Sequence, residues 1–304
     1  MLTVLMTTYN GERYLREQLD SILGQKNCEF NLVISDDCST DSTADILNEY
    51  AETFSGMIDV RIREEHIGSA AKHFFKLIEE IRDDERYVNS RYFALSDQDD
   101  IWMPGKLEVC IETLNKAVTG EGEYLPMLVH GDLLLADTSG IETSASMARS
   151  NHMRMDHTAL NYRLVENAVS GNTVVFNRKF MNTLSFPENC VMHDWWMALV
   201  GESVGKIFYI DKALVRYRQH GENVYGSRKH FTAEEIKENY RNMYAQAEAL
   251  LENHGGNMST ENREILEAFT GMQNQNRIKK IMTIFKYRFF KSSPVMTLGM
   301  MLKI

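Results

Sequence analysis

Tyr92-Phe93-Ala94-Leu95-Ser96-Asp97-Gln98-Asp99-Asp100 is the stretch on which the reading of this chain turns. A short β-favouring run, Tyr92 to Leu95, ends in three carboxylates, which puts them at the carboxyl edge of a strand. In an open α/β sheet that edge is where ligands bind. Acids packed this closely repel one another unless a cation neutralises them. Asp97 and Asp99 are separated by one residue, so both can reach one hard divalent ion and leave positions open for phosphate oxygens. The plainer alternative is a solvated acidic turn that caps the helix after Pro104.

Strand and helix patterns alternate on the amino-terminal side of this stretch. An apolar strand at 2–7 leads into Thr8-Tyr9-Asn10-Gly11, followed by a helical pattern from Tyr14 to Leu23. A second strand, Phe30 to Ile34, runs into Ser35-Asp36-Asp37-Cys38-Ser39-Thr40-Asp41, and Asp41 or Ser42 caps a helix through Tyr50. Val60 to Arg63 alternates like a half-buried strand, and Gly68 opens a helix over 69–81. Such alternation predicts an α/β fold with a mixed, mostly parallel sheet flanked by helices. Beyond the acidic cluster, 127–135, 173–176, 206–210 and 213–217 read as strands and the stretch after His193 as a helix. From Thr232 onward the pattern is helical, giving a C-terminal helical extension. The division expected is therefore 1–228, with halves 1–103 and 104–228, and an extension over 229–304.

Composition narrows the function. The 304 residues are 43% hydrophobic and 25% charged, as in a folded globule. A net charge of -10 argues against a nucleic-acid binder. Four scattered cysteines without CxxC spacing fit reduced thiols in a cytoplasmic protein. Leu2 to Met6 already reads as the first strand, so no signal peptide is expected, and no run is long and apolar enough to span a bilayer. Charge is unevenly placed: after Glu267 there is no acid, while Arg277, Lys279, Lys280, Lys286, Arg288, Lys291 and Lys303 follow.

Three further constellations carry chemistry. Asp36 and Asp37 end a strand, where acids accept hydrogen bonds from a base or ribose; Thr8-Tyr9-Asn10 lies beside them with an aromatic face and backbone amides. A turn rich in Ser, Thr and Asp that merely caps a helix fits the same residues. In His193-Asp194-Trp195-Trp196 an acid lies between aromatic rings at a helix start. The indoles offer stacking faces for a sugar, and partial desolvation makes the acid a better base. A helix-capping Asp beside core tryptophans is the alternative. Arg216-Tyr217-Arg218-Gln219-His220 puts two arginines on one strand face, able to clamp a diphosphate, and a histidine at its end. Lys72 and His73 are weaker phosphate candidates.

Taken in order, Thr-Tyr-Asn, Ser-Asp-Asp-x-Ser-Thr-Asp, Asp-x-Asp-Asp, Ser-Gly-Asn-Thr, His-Asp-Trp-Trp and Arg-Gln-His resemble the family 2 glycosyltransferases of the GT-A fold. The likeness is greatest to bacterial rhamnosyltransferase-type members of surface polysaccharide synthesis, and it covers about residues 1–228. It implies that Asp97 and Asp99, with His220, hold Mg²⁺ or Mn²⁺ on a nucleoside diphosphate. Thr8, Tyr9, Asn10, Asp36, Asp37, Lys72, Asp97, Gln98 and Arg218 would contact the donor. Gly171, Asn172, Trp195 and Trp196 would face the acceptor, and Asp194 would be the catalytic base. His193 departs from the acidic pair at that place, leaving the base but removing one carboxylate. The Gln-x-x-Arg-Trp element of processive members is absent, which favours transfer of one or a few sugars.

The reaction implied is an inverting displacement from a nucleotide-sugar, dTDP-rhamnose being favoured, to a glycan or lipid-linked acceptor. UDP-hexose, UDP-galactofuranose and UDP-N-acetylhexosamine donors stay open, as does a retaining outcome. A nucleotidyltransferase would carry a Gly-rich basic loop after the first strand, which Met6 to Gly11 lacks. A carbohydrate-binding scaffold without catalysis leaves the acidic cluster without a purpose. In the tail, Ile278, Ile281, Met282, Ile284, Phe285, Phe289 and Phe290 interleave with the cations. That suits peripheral attachment to the inner membrane leaflet. The same pattern also suits helices packed on the catalytic domain or on a second subunit.

Overall fold

The computed structural model describes residues 1–122, 124–155, 157–188, 190–220 and 232–303. The first half runs β1 (Leu2–Thr8), α1 (Leu15–Leu23), β2 (Phe30–Asp36), α2 (Thr43–Thr53), β3 (Ile58–Ile62), α3 (Ala70–Asp83), β4 (Tyr92–Ser96), β5 (Ile101–Trp102) and α4 (Lys106–Glu121). The second runs β6 (Met127–Ala136), β7 (Glu142–Ser144), α5 (Met147–Ser150), α6 (Leu160–Arg163), β8 (Val175–Asn177), α7 (Arg178–Thr183), α8 (His193–Val204) and β9 (Lys206–Arg218). Four helices follow: α9 (Ala233–His254), α10 (Thr260–Gly271), α11 (Arg277–Tyr287) and α12 (Pro294–Lys303).

Among the described residues one sheet has the order β3-β2-β1-β4-β8-β6-β9-β5, with β7 added beside β6. β1 to β4 pair in parallel, β8 is antiparallel to both β4 and β6, and β9 is parallel to β6. All seven residues of β1 are buried because helices cover both faces of the sheet. Alternate side chains serve two cores: Val4 and Met6 join one with α1, α2 and α4, and Leu5 joins the other with α3 and α8. The strand order reverses between β2-β1 and β1-β4, which opens a crevice beyond the carboxyl ends of β1 and β4. The Thr8-Tyr9-Asn10 turn and the acidic stretch border it. The α/β, mostly parallel architecture expected from the sequence is present.

Two elements differ from the sequence reading. The expected pair of strands at 206–210 and 213–217 is one strand, β9. Asp211 and Lys212 form a bulge in it, since Ile210 pairs with Gly131 and Ala213 with Asp132. Gly131 permits this, because a Cβ there would lie 2.4 Å from the Leu214 Cδ1. The strand expected from 173 begins only at Val175, because Gly171–Thr173 turn as a short 3₁₀ helix.

The expected boundary at 228 lies in 221–231, outside the described residues. The C-terminal helices share the α3–α8 core: Ala247, Leu250, Leu266, Phe269, Ile284, Phe289 and Met300 are buried in it with Trp196 and Leu199. Packing of one tail face against the catalytic fold is thus real. No helix among the described residues is long and apolar enough to cross a membrane.

Candidate active site

The acidic stretch splits in two. Asp100 turns inward and is fully buried. Its Oδ2 accepts from the Asn172 side chain at 2.5 Å and its Oδ1 from the Arg218 backbone N–H at 3.2 Å. Asp100 therefore joins three remote segments: the β4 end, the 171–173 turn and the end of β9. Asp97 and Asp99 remain partly open to solvent. Asp99 meets His220 at 2.8 Å, carboxylate to Nε2. Burial pushes the Asp97 carboxyl up to about 7, and the charges of Asp99 and Asp194 push the same way.

The 171–173 turn brings the expected catalytic residue to the same cleft, since Asn172 holds Asp100 and Gly171 holds Asp194. Asp194 lies in the first turn of α8. Its Oδ2 accepts from the Gly171 N–H at 3.2 Å and its Oδ1 from the Asn167 side chain at 3.1 Å. Burial nonetheless raises it to about 6, against those bonds. A carboxylate so placed is ionised at neutral pH yet basic enough to accept a proton. His193, the neighbour that departs from the family pattern, points into the core against Phe74 with ring centroids 4.2 Å apart. Burial lowers it to about 3, so it is neutral.

The loops beneath are tied together by residues expected to bind the donor. Asn10, with φ of 48°, accepts from the Thr40 N–H at 2.8 Å and donates its own N–H to Ser39. The buried Asp36 accepts from Thr8 and twice from Ser39, and Asp37 accepts from the Ile67 and Gly68 N–H groups. Tyr9 is exposed beside the His66 ring, 4.6 Å between centroids. Lys72 is exposed in the first turn of α3, but His73 is buried and bonded to Ser35 at 2.8 Å.

Four residues expected to contact ligand are engaged within the protein. Both ends of the Gln98 amide are engaged by the Tyr9 backbone, at 2.8 and 2.9 Å, so Gln98 braces the first turn. Arg218 is buried; its guanidinium donates to the carbonyls of Asp99 and Thr138 and to Glu17, over the Tyr14 ring. Its fork is engaged by the protein and is not directed at a diphosphate. Trp196 is fully buried and donates to the Ser185 carbonyl, so it offers no face to a sugar. Asn172 is buried between Asp100 and the Lys106 ammonium, which donates to its carbonyl at 2.8 Å. Trp195 stays partly exposed, its indole N–H on the Arg163 carbonyl.

Sequence reasoning missed Lys106 and Tyr217. Lys106 is buried under the acidic loop with its ammonium 3.2 Å from the Trp102 ring centroid, and burial lowers it to about 7. A signal existed: a cation in the first turn of a helix opposes the helix dipole and needs a partner. Burial raises the Tyr217 phenol, and the charges of Asp100, Asp97, Asp99 and Asp194 push the same way. Strand alternation puts residue 217 on the face opposite to the flanking arginines, the signal by which the sequence marks it.

The donor set suits a hard divalent cation only in part. Among the described residues no three His, Cys, Asp or Glu side chains are gathered as a cage, so the expected Asp97, Asp99 and His220 set is not closed. Two neighbouring carboxylates are nevertheless what Mg²⁺ uses with substrate phosphates, one or two acids and the rest oxygen from ligand and water. The residues present fit an ion completed by a diphosphate.

The Glycosyl transferase family 2 description matches residues 3–120. Over 232 residues the chain is 30% identical to the dTDP-rhamnosyl transferase RfbG of Shigella flexneri, covering 75% of this chain and 76% of that one. Among solved structures, residues 1–349 of S. aureus TarS in complex with UDP-GlcNAc align with a TM-score of 0.61 at 19% identity, over 94% of this chain and 72% of that one. The mannosyltransferase PcManGT from Pyrobaculum calidifontis, in complex with GDP-Man and Mn2+, aligns with a TM-score of 0.57 at 15% identity, over 99% and 79%. At these identities both structures speak for the GT-A fold.

Proposed function

The chain belongs to glycosyl transferase family 2, and on that footing we propose that it moves a sugar from a nucleoside diphosphate to an acceptor hydroxyl with inversion. The donor proposed is dTDP-rhamnose, supported by the likeness to a dTDP-rhamnosyl transferase over most of both chains. The acceptor proposed is a glycan or lipid-linked glycan of the cell surface. The single observation that carries the mechanism is that one turn holds both acidic segments: the Gly171 N–H donates to Asp194, and the next residue, Asn172, donates to Asp100 of the acidic stretch.

Asp194 is the general base: its carboxylate takes the proton of the acceptor hydroxyl as that oxygen attacks the anomeric carbon. The Gly171 N–H and the Asn167 amide fix its two oxygens, so the basic lone pairs are held in one direction. Asp97 and Asp99 would hold Mg²⁺ or Mn²⁺, with His220 orienting Asp99. When bound, such an ion supplies charge stabilisation to the departing nucleoside diphosphate. Tyr9 presents its exposed ring to the base, and Trp195 borders the acceptor side.

The test is nucleoside diphosphate release from dTDP-, UDP- and GDP-sugars with Mg²⁺, Mn²⁺ or a chelator, for the wild type and Asp99→Ala. Metal-dependent turnover of dTDP-rhamnose that the variant loses is the expected result. Preference for a UDP- or GDP-sugar overturns the donor; no metal-dependent nucleotide binding at all overturns the reading.

A further inference from the structure

The tail presents an apolar surface that is exposed among the described residues. In α11, Ile284 faces the core while Ile278, Met282 and Phe285 are 72%, 65% and 61% exposed. At about 100° per residue these three lie within about 60° of arc, a single stripe along the helix. Arg277, Lys279 and Lys286 flank it, all exposed. In α12, Thr297, Met300 and Met301 are buried, and the opposite side carries Val295, Leu298 and Leu302 at 78%, 58% and 63% exposure. The Arg277 side chain donates to the Leu302 carbonyl at 3.4 Å, tying the start of α11 to the end of α12. Seven of the fifteen exposed large hydrophobic residues of the described chain thus fall in these two helices. Scattered apolar residues need no explanation, but a contiguous patch does.

Between α9, α11 and α12 lies an open cleft of about 450 Å³. Lys237 and Arg241 reach it from α9, where Glu234 partners them at 3.8 and 3.0 Å. Lys280 and Lys303 reach it from the tail. Four cations line the cleft against the acid Glu234, with Glu238 also on Arg241 at 2.8 Å, which leaves a net positive surface attractive to an anion.

We propose that the outer faces of α11 and α12 dock on an anionic lipid bilayer, with the apolar stripe entering the interface and the cleft receiving a lipid phosphate. Charge decides for this occupant. A symmetric contact with a second copy would set the same cations against one another, since the segment after Glu267 carries seven and no acid. An anionic leaflet instead complements them, and the exposed apolar residues partition beside its headgroups. The surface is joined to the acceptor side of the cleft. Asn161 of α6 donates to the Tyr287 and Arg288 carbonyls, and the Trp195 indole donates to the Arg163 carbonyl of that same helix. The docking does not depend on which sugar is transferred.

The test is co-sedimentation with phosphatidylcholine vesicles, with and without phosphatidylglycerol, alongside donor turnover in solution. The wild type is expected to bind the mixed vesicles and not the neutral ones. Lys280→Gln with Lys303→Gln should weaken partitioning about 30-fold, since each basic residue near an anionic surface is worth about fivefold. Ile278→Glu with Phe285→Glu should abolish it, with turnover and far-UV circular dichroism as in the wild type. Equal binding to both vesicle types, no binding, or unchanged binding by the Glu variant overturns the proposal. So does a dimer in analytical ultracentrifugation, without lipid, that the Glu variant loses, because the face then belongs to a second copy.

Discussion

Asp194→Asn tests the proposed mechanism and the electrostatics of the site together. Burial moves this carboxyl from 3.8 to about 6, and each unit corresponds to about 1.4 kcal/mol. The sign follows from proton binding. Between those two values the folded chain binds more protons than the unfolded one, so stability falls as pH rises through the window and stays lower above it. Keeping Asp194 ionised at neutral pH therefore costs about 2–3 kcal/mol as an upper bound. Asparagine removes that cost. It also turns one oxygen into an amide facing either Gly171 N–H or Asn167, a lost hydrogen bond of about 1 kcal/mol. The variant should be more stable than the wild type by about 1–2 kcal/mol at neutral pH, and the gain should vanish in acid. Its kcat should fall about 10²–10⁴-fold with the donor KM little changed. The wild type should lose activity as pH falls through about 6, about tenfold by one unit below it, and the variant should lack that limb. Urea denaturation at two pH values and steady-state nucleoside diphosphate release provide the readouts. Turnover within about tenfold of wild type with the acidic limb intact would refute the base assignment.

Three other substitutions probe the supports. Asp99→Ala should weaken metal-dependent donor binding about 10–100-fold by calorimetry while leaving the fold intact. Gly171→Ala places a Cβ 2.5 Å from the buried His193 Nε2 and 3.4 Å from the Asp194 Cβ. It should lower Tm, corresponding to about 1–3 kcal/mol, and lower kcat by displacing the base. Lys106→Met should cost about 1–3 kcal/mol in urea, because the Asn172 carbonyl loses its buried donor. It should also weaken donor binding, because Asp97 loses a neighbouring cation.

Much of the fold was legible because its signals are local. The apolar runs at 2–8, 30–36 and 92–96 are buried on both faces, and a strand covered twice has no polar alternation to confuse the reading. Gly68 was read as opening the helix over 69–81, and α3 does begin there, with Ser69 accepting from the Lys72 N–H. The bulge in β9 was not legible, since Asp211-Lys212 in sequence is indistinguishable from a turn; only pairing with β6 over Gly131 keeps the strand continuous. Residue types likewise pointed to the acidic cluster, yet gave no means of telling the inward Asp100 from the cleft-facing Asp97 and Asp99.

What the sequence by itself determined was the alternation of strands and helices and the acids at strand ends, because hydrophobic period and turn chemistry act over a few residues. Which of those groups stay open to the cleft and which brace the protein was decided only by the tertiary structure. Gln98 reaches back to Tyr9, Arg218 across to Glu17, Asn172 to Asp100, and Trp196 into the core. Each link spans a separation along the chain that no local pattern encodes. A buried polar group takes whichever partner the packed fold delivers, because leaving it unpaired costs more than any local preference supplies.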